Sequence, residues 1–176
     1  MMMKRSILFA LSLVLAVSMT ACGSAADTQP AADPSTVPTA QETVQIPNPW
    51  QECTTVEQAA EAAGFPFDTP DAVDGYTEKN IAVIPGDISE VKFRTDDDDA
   101  SEVCFRKGTG TGDISGDYNS YETTQVTDLD GKRVTCRGSG DLIYTAFWEA
   151  DGFAYSVSAT AGMTAGQLAA WAARLN

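Results

Sequence analysis

Between residues 141 and 159 apolar and polar positions alternate in two runs, DLIYTAFWEA and DGFAYSVSA, that meet at Asp151-Gly152. Period-two alternation on both sides of an Asp-Gly pair predicts a β-hairpin closed by a two-residue turn. Such a turn sets Ala150 opposite Phe153, Trp148 opposite Tyr155, Ala146 opposite Val157 and Tyr144 opposite Ala159, giving one aromatic core face. The other face carries Thr145, Glu149, Ala154, Ser156 and Ser158. Ile143 and Phe147 interrupt it, so it is expected to be partly covered. A lone hairpin is marginal in water, and further strands and a helix are needed against the aromatic side.

The same period recurs upstream. Residues 81–84 and 88–94 flank Pro85-Gly86 and read as two strands, with Val91 and Phe93 inward and Glu90, Lys92 and Arg94 outward. In residues 102–107 Val103 and Phe105 alternate again, and pairing Phe93 with Val103 and Val91 with Phe105 keeps one face apolar. Residues 123–128 and 132–137 flank Leu129-Asp130-Gly131. A three-residue loop is preferred there, because it pairs Val126 with Val134 and Asp128 with Lys132. Two stretches read as helices. Thr54 with Glu57 forms a capping box ahead of an Ala-rich run ending at Gly64, and Thr164 with Gln167 forms another, with Met163 placed to staple against Leu168. Leu168, Trp171, Ala172 and Leu175 make one apolar stripe. Phe65 and Phe67 are expected to anchor the turn-rich segment that follows the first helix. With strands outnumbering helices and no βαβ alternation, the predicted class is α+β: an antiparallel meander of about six or seven strands with an N-terminal and a C-terminal helix packed on the sheet.

The first 47 residues follow another logic. Lys4 and Arg5 precede an apolar run, residues 7–17, and then Met19-Thr20-Ala21-Cys22, the pattern of a secretory signal peptide ending in a bacterial lipobox. The expected organisation is a lipoprotein signal peptide over 1–21, a lipidated Cys22 with a disordered tether over 22–47, and one domain over 48–176. Several acyl chains on Cys22 would hold the protein to the lipid bilayer. The tether is Ala, Asp, Thr, Pro, Ser and Gln with almost no large apolar side chain before Val44 and Ile46, too little to offset the entropy of ordering it. Loss of residues 1–21 removes Lys4 and Arg5 and takes the formal charge from −14 to −16. Such a chain repels nucleic acid and anionic headgroups, so no nucleic-acid partner is expected.

Composition narrows the chemistry. The 176 residues contain no histidine, which removes the commonest general base, the common metal ligand and every Ser-His or Cys-His arrangement. Beyond Cys22 the cysteines are Cys53, Cys104 and Cys136. In an oxidising compartment one pair is expected to close. Cys136 alternates with Val134 on an inward run, whereas Cys53 and Cys104 lie off the core pattern, so Cys53–Cys104 is the candidate disulfide. A reactive Cys104 thiol between Lys92 and Arg106 is the alternative. Asp96, Asp97, Asp98 and Asp99 could hold calcium, but lack the spaced ligands, central glycine and distal glutamate of an EF-hand. A solvated loop is the favoured reading, and no metal site or other cofactor is assigned. The Gly-rich run over 108–121, GTGTGDISGDYNSY, is too polar for core and too long for a tight turn. Long irregular excursions in compact domains are commonly functional, which makes Asp113, Ser115, Asp117, Tyr118 and Asn119 the candidate interaction loop.

Several of these stretches also carry a resemblance. Asn48-Pro49-Trp50, the capped helix ending Ala62-Ala63-Gly64-Phe65, Arg106-Lys107-Gly108, Asp113-Ile114-Ser115-Gly116-Asp117-Tyr118-Asn119, and Trp148 with Gly152-Phe153-Ala154-Tyr155-Ser156 follow one another in order. Together they resemble a family of lipoproteins from Gram-positive, Clostridia-type bacteria, whose domain is similar to one behind the membrane segments of some anti-sigma-factor-like proteins. The resemblance implies placement on the outer face of the cell membrane and carries over no catalytic residue. The cysteine set is a departure from it. The functional expectation is thus an extracytoplasmic, non-catalytic domain that binds or senses a ligand or protein. Its competitors are a carboxylate- or thiol-dependent hydrolase, with calcium as a candidate requirement, and a structural envelope component.

Overall fold

In the computed structural model residues 47–96 and 101–176 are described, and their strands form one antiparallel sheet. Its elements are β1 (Gln51–Cys53), α1 (Val56–Ala63), β2 (Glu78–Ile84), β3 (Ile88–Arg94), β4 (Glu102–Gly108), β5 (Thr123–Leu129), β6 (Lys132–Ser139), β7 (Leu142–Ala150), β8 (Phe153–Met163) and α2 (Ala165–Ala172). The spatial order is β1-β2-β3-β4-β8-β7-β6-β5. The class is α+β as expected, with eight strands. The extra one is β1, whose three residues are too few to show a period.

The topology departs from a single meander. β1 to β4 follow one another across the sheet, and β5 to β8 form a second run laid in reverse, so that β8 closes on β4. The connection from β4 to β5 must therefore cross three intervening strands. Four spacings of about 4.8 Å make roughly 19 Å across the sheet, and because four antiparallel steps leave β4 and β5 parallel, the chain must also run back about a strand length, roughly 17 Å, which a tight turn cannot reach. The length of the excursion over 109–122 follows from this crossing.

The register confirms most of the pairing read from alternation. Phe93 pairs Val103, Val91 pairs Phe105, Trp148 pairs Tyr155 and Ala146 pairs Val157. One face buries Val83, Val91, Phe93, Phe105, Val134, Trp148 and Val157 beneath the helices. α1 lies against β1 to β3 through Ala59 and Ala63, whose small side chains allow close approach, and α2 lies against β7 and β8. Leu168, Ala172 and Leu175 are buried, and Trp171 meets Phe105 edge-on at 5.7 Å. Phe65 and Phe67 are buried as expected, and Met163 and Leu168 are both fully buried at the α2 staple.

Four local expectations are corrected. The cap of α1 is Thr55 rather than Thr54: its side chain accepts from Gln58 N, and Gln58 Oε1 accepts from Thr54 N at 2.9 Å. Thr55 and Gln58 have the capping-box spacing as well, one residue further on. The Asp130-Gly131 loop has two residues, not three. Both adopt positive φ, 52° and 80°, the conformation whose twist matches flanking strands, so Leu129 pairs Lys132 and Val126 pairs Thr135. Val126 is left 51 % exposed on the face opposite Val134. Tyr144 does not face Ala159 in the core. The β7–β8 register shifts between Ile143 and Thr145, which carries Ile143 into the core and turns Tyr144 to the other side. Finally, Cys53 and Cys104 are free. In register Cys53 aligns with Ile81, Val91 and Phe105, so Cys104 points from the opposite face and lies three strands away, about 14 Å against the roughly 7 Å a disulfide spans.

Candidate functional site

The face opposite the helices is where the polar residues gather. Glu90, Lys92, Cys104, Arg106, Thr145, Ser156 and Ser158 share it by register. Alternation had placed Glu90 and its neighbours outward. Arg94 is exposed as expected and Lys92 is half-buried, but Glu90 is outward only from the helices, because the 109–122 excursion lies over this face as a strap. Glu90 is only 4 % exposed, and Thr145 and Ser156 are buried.

The strap is held by charged and backbone contacts. Gly112 N donates to Glu149 Oε1 at 2.7 Å, Arg137 pairs with Asp113 at 2.9 Å, and Arg106 Nη1 donates to Ile114 O at 2.9 Å. Gly116 sits at φ 69°, and a β-carbon there would meet Arg106 Nη1 at 2.5 Å, so this turn requires glycine. Further along, Asp117 organises the loop. Its carboxylate accepts from Asn119 N at 2.9 Å, Asn119 Nδ2 at 2.8 Å, Tyr121 OH and Thr145 Oγ1. Partial burial opposes its ionisation, but the bonds from Thr145, Tyr121 and Asn119 outweigh that and hold the carboxyl below its usual value. Tyr121 stacks on Tyr144 at 5.3 Å, 13° from parallel.

Beneath the strap Arg106 and Glu90 form a buried pair. Nε and Nη2 both approach Glu90 Oε2, at 2.7 and 2.6 Å, and the guanidinium stands 5.3 Å from the Trp50 ring. Lys92 bridges Glu90 at 3.3 Å and Glu102 at 3.6 Å, and Arg94 closes on the other oxygen of Glu102 at 3.8 Å. The Cys104 thiol donates to Glu90 Oε2 at 3.6 Å. Burial first, and the charge of Glu90 second, push its pKa far above that of a free thiol, with Arg106 and Lys92 only partly offsetting them. A thiolate is disfavoured there, so Cys104 is a poor nucleophile.

Strap and sheet border an open groove of about 810 Å³. Lys92, Glu102 and Arg106 lie at one side, Asp117, Asn119 and Ser120 on the strap, and Tyr144, Ser158 and Thr160 across from them. Tyr118 stands at its rim, 95 % exposed. The volume falls within the range of small-molecule sites. Of the expected loop residues, Ser115, Asp117, Tyr118 and Asn119 line this groove. Asp113 instead anchors the strap to Arg137. Lys92, Glu102, Arg106, Tyr144 and Ser158 were missed as site residues, because strand parity says which face a residue occupies but not what covers that face.

A second polar feature lies on the helix side. Lys107 is buried, donates to Pro66 O at 2.8 Å and lies 4.5 Å from the Phe153 ring, with Phe65 and Tyr155 at 5.6 and 5.4 Å. Burial lowers its pKa. The contact ties the segment after α1 to the sheet, and Lys107 shares the parity of Val103 and Phe105, so its inward direction was visible in the alternation.

The Asp96–Asp99 reading falls for Asp97, Asp98 and Asp99 outside the described residues, as do the signal peptide, Cys22 and nearly all of the tether. Among the described residues no three His, Cys, Asp or Glu side chains converge as a metal cluster. No family model, curated protein or solved structure matches the chain.

Proposed function

We propose that the chain is an extracytoplasmic domain, anchored to the outer face of the cell membrane through Cys22, that binds a small ligand in the groove beneath the strap and catalyses nothing. The observation that carries this reading is the groove itself: a crossover that topology requires is built from polar residues and leaves an open cavity at a polar sheet face. Its candidate reactive groups are otherwise engaged. The Asp117 carboxylate meets four donors, the Cys104 thiol is kept protonated, and Glu90 and Arg106 neutralise each other. A chain without histidine has little else with which to move a proton. The anchoring half of the reading rests on the lipobox and the acidic, proline-containing tether.

The test is a thermal-shift screen of the intact chain against cell-wall fragments, peptides, metabolites and metal ions. A native-state ligand at 100 times its Kd adds about 2.7 kcal/mol. A stabilising compound whose effect is lost in Tyr118→Ala and Asn119→Ala supports the reading. A stabilising compound indifferent to both, or turnover of any compound, contradicts it.

A further inference from the structure

Resting on the groove reading above, we infer that the ligand class is an uncharged saccharide, held by spare hydroxyl groups on the groove walls and by the exposed ring of Tyr118.

Most charged groups at the groove are already spent. Every charged side chain at the groove has a partner within the protein: Lys92 lies between Glu90 and Glu102, Glu102 also meets Arg94, Arg106 meets Glu90 and the Ile114 carbonyl, and Asp117 is surrounded by donors. A charged ligand would have to compete with these pairs for its counter-charge, and opening the largely buried Arg106–Glu90 pair would leave one partner alone, which is costly. An anion would in addition face Glu102 and Asp117 across the cavity. What the groove has left over is neutral. Ser120, Tyr144 and Ser158 line it and make no side-chain hydrogen bond among the described residues, and Asn119 Oδ1 is a free acceptor. A hydroxyl both donates and accepts, so a row of them suits a ligand bearing hydroxyls of its own.

Tyr118 supplies the second half. Its ring is 95 % exposed, yet it sits between Asp117 and Asn119, the tightest hydrogen-bonded part of the strap. A large aromatic carried on a hydrogen-bonded backbone at a cavity mouth offers contact area with only two side-chain torsions to fix on binding. The electron-rich face of such a ring attracts the weakly positive C–H face of a pyranose. The stacked Tyr121–Tyr144 pair adds a second aromatic wall.

The experiment is calorimetry on the intact chain in a sugar-free detergent. The neutral probes are chitohexaose, cellohexaose and maltohexaose. A hyaluronan hexasaccharide serves as the charged sugar and hexaglycine as the peptide. Wild type, Tyr118→Ala and Ser158→Ala are compared, with the melting temperature of each free protein as the folding control. The expected result is binding of a neutral hexasaccharide that weakens roughly tenfold in Tyr118→Ala at unchanged melting temperature, the loss typical of an aromatic anchor. Ser158→Ala weakens it by a smaller factor, and the hyaluronan fragment binds more weakly than its neutral counterpart. If hyaluronan or hexaglycine binds instead, with the same dependence on Tyr118, the saccharide inference falls while the groove remains the site. If a saccharide binds with no change in either variant, both fall. Absence of binding by all three neutral probes overturns the inference.

Discussion

At the scale of single residues the second face depends on two side chains. Arg106 answers the buried Glu90 carboxylate, supports the strap through Ile114 O and stacks against Trp50. Arg106→Met keeps most of the volume but leaves the buried Glu90 with only the half-buried Lys92 at 3.3 Å as counter-charge. The expected loss of unfolding free energy is about 3–5 kcal/mol, read by urea titration, and Arg106→Met with Glu90→Gln should recover part of it. A loss under about 1 kcal/mol would mean that Lys92 alone satisfies Glu90. Asp117 gives a pH signature. Its folded pKa lies below its unfolded one, so its contribution is complete above the ordinary carboxylate range and disappears as pH falls through the lowered folded value. Asp117→Asn should therefore be less stable than wild type at neutral pH, with the gap narrowing on acidification. A gap of constant size from neutral to acid pH would contradict this.

At the scale of elements the strap is the informative piece. Its polar, glycine-containing composition was read correctly as an irregular excursion, and it is also a crossover that cannot be shortened at will. A four-residue Gly-Ser turn in place of 109–122 spans five Cα–Cα steps, at most about 18 Å, and cannot join the end of β4 to the start of the parallel β5, roughly 19 Å across the sheet and about 17 Å along it. Circular dichroism should show that such a variant loses the native sheet, whereas a flexible 14-residue Gly-Ser replacement should keep it with reduced stability. A well-folded short-turn variant would contradict the strand order. The helices raise fewer surprises. The α2 capping box, with Thr164 N donating to Gln167 Oε1 at 2.9 Å, was legible from two residues three apart, and Thr164→Ala should cost about 1 kcal/mol in the same titration.

Across the whole molecule the helix side was more legible than the strap side, for a physical reason. Alternation in β3, β4, β7 and β8 specifies which residues point together, and burial beneath apolar helices follows from composition. Pairing between β4 and β8, far apart in the chain, leaves no local trace, so the strand order and the covering of Glu90 and Cys104 could not be read. The cysteine pairing failed for another reason: the three-residue β1 shows no period, so nothing local placed Cys53 three strands from Cys104 and on the opposite face. The two-residue turn at Asp130-Gly131 was misjudged because apolar content on both sides argued for one face, whereas turn geometry placed Val126 on the other. Glycine at 138 marks a related irregularity: a β-carbon there would meet Leu142 O at 2.1 Å, where the β6–β7 register shifts.

Amide hydrogen exchange on the intact chain reports whether ligand enters the groove between strap and sheet. The chain is compared alone and with a low-molecular-weight digest of bacterial cell envelope, and the peptides are mapped. Added protection should be confined to residues 115–121 and to β4 and β8 at Cys104 and Ser158, with α1 and α2 unchanged. Protection appearing instead on the helices or along the β5 edge, with the strap unaffected, would contradict entry into the groove.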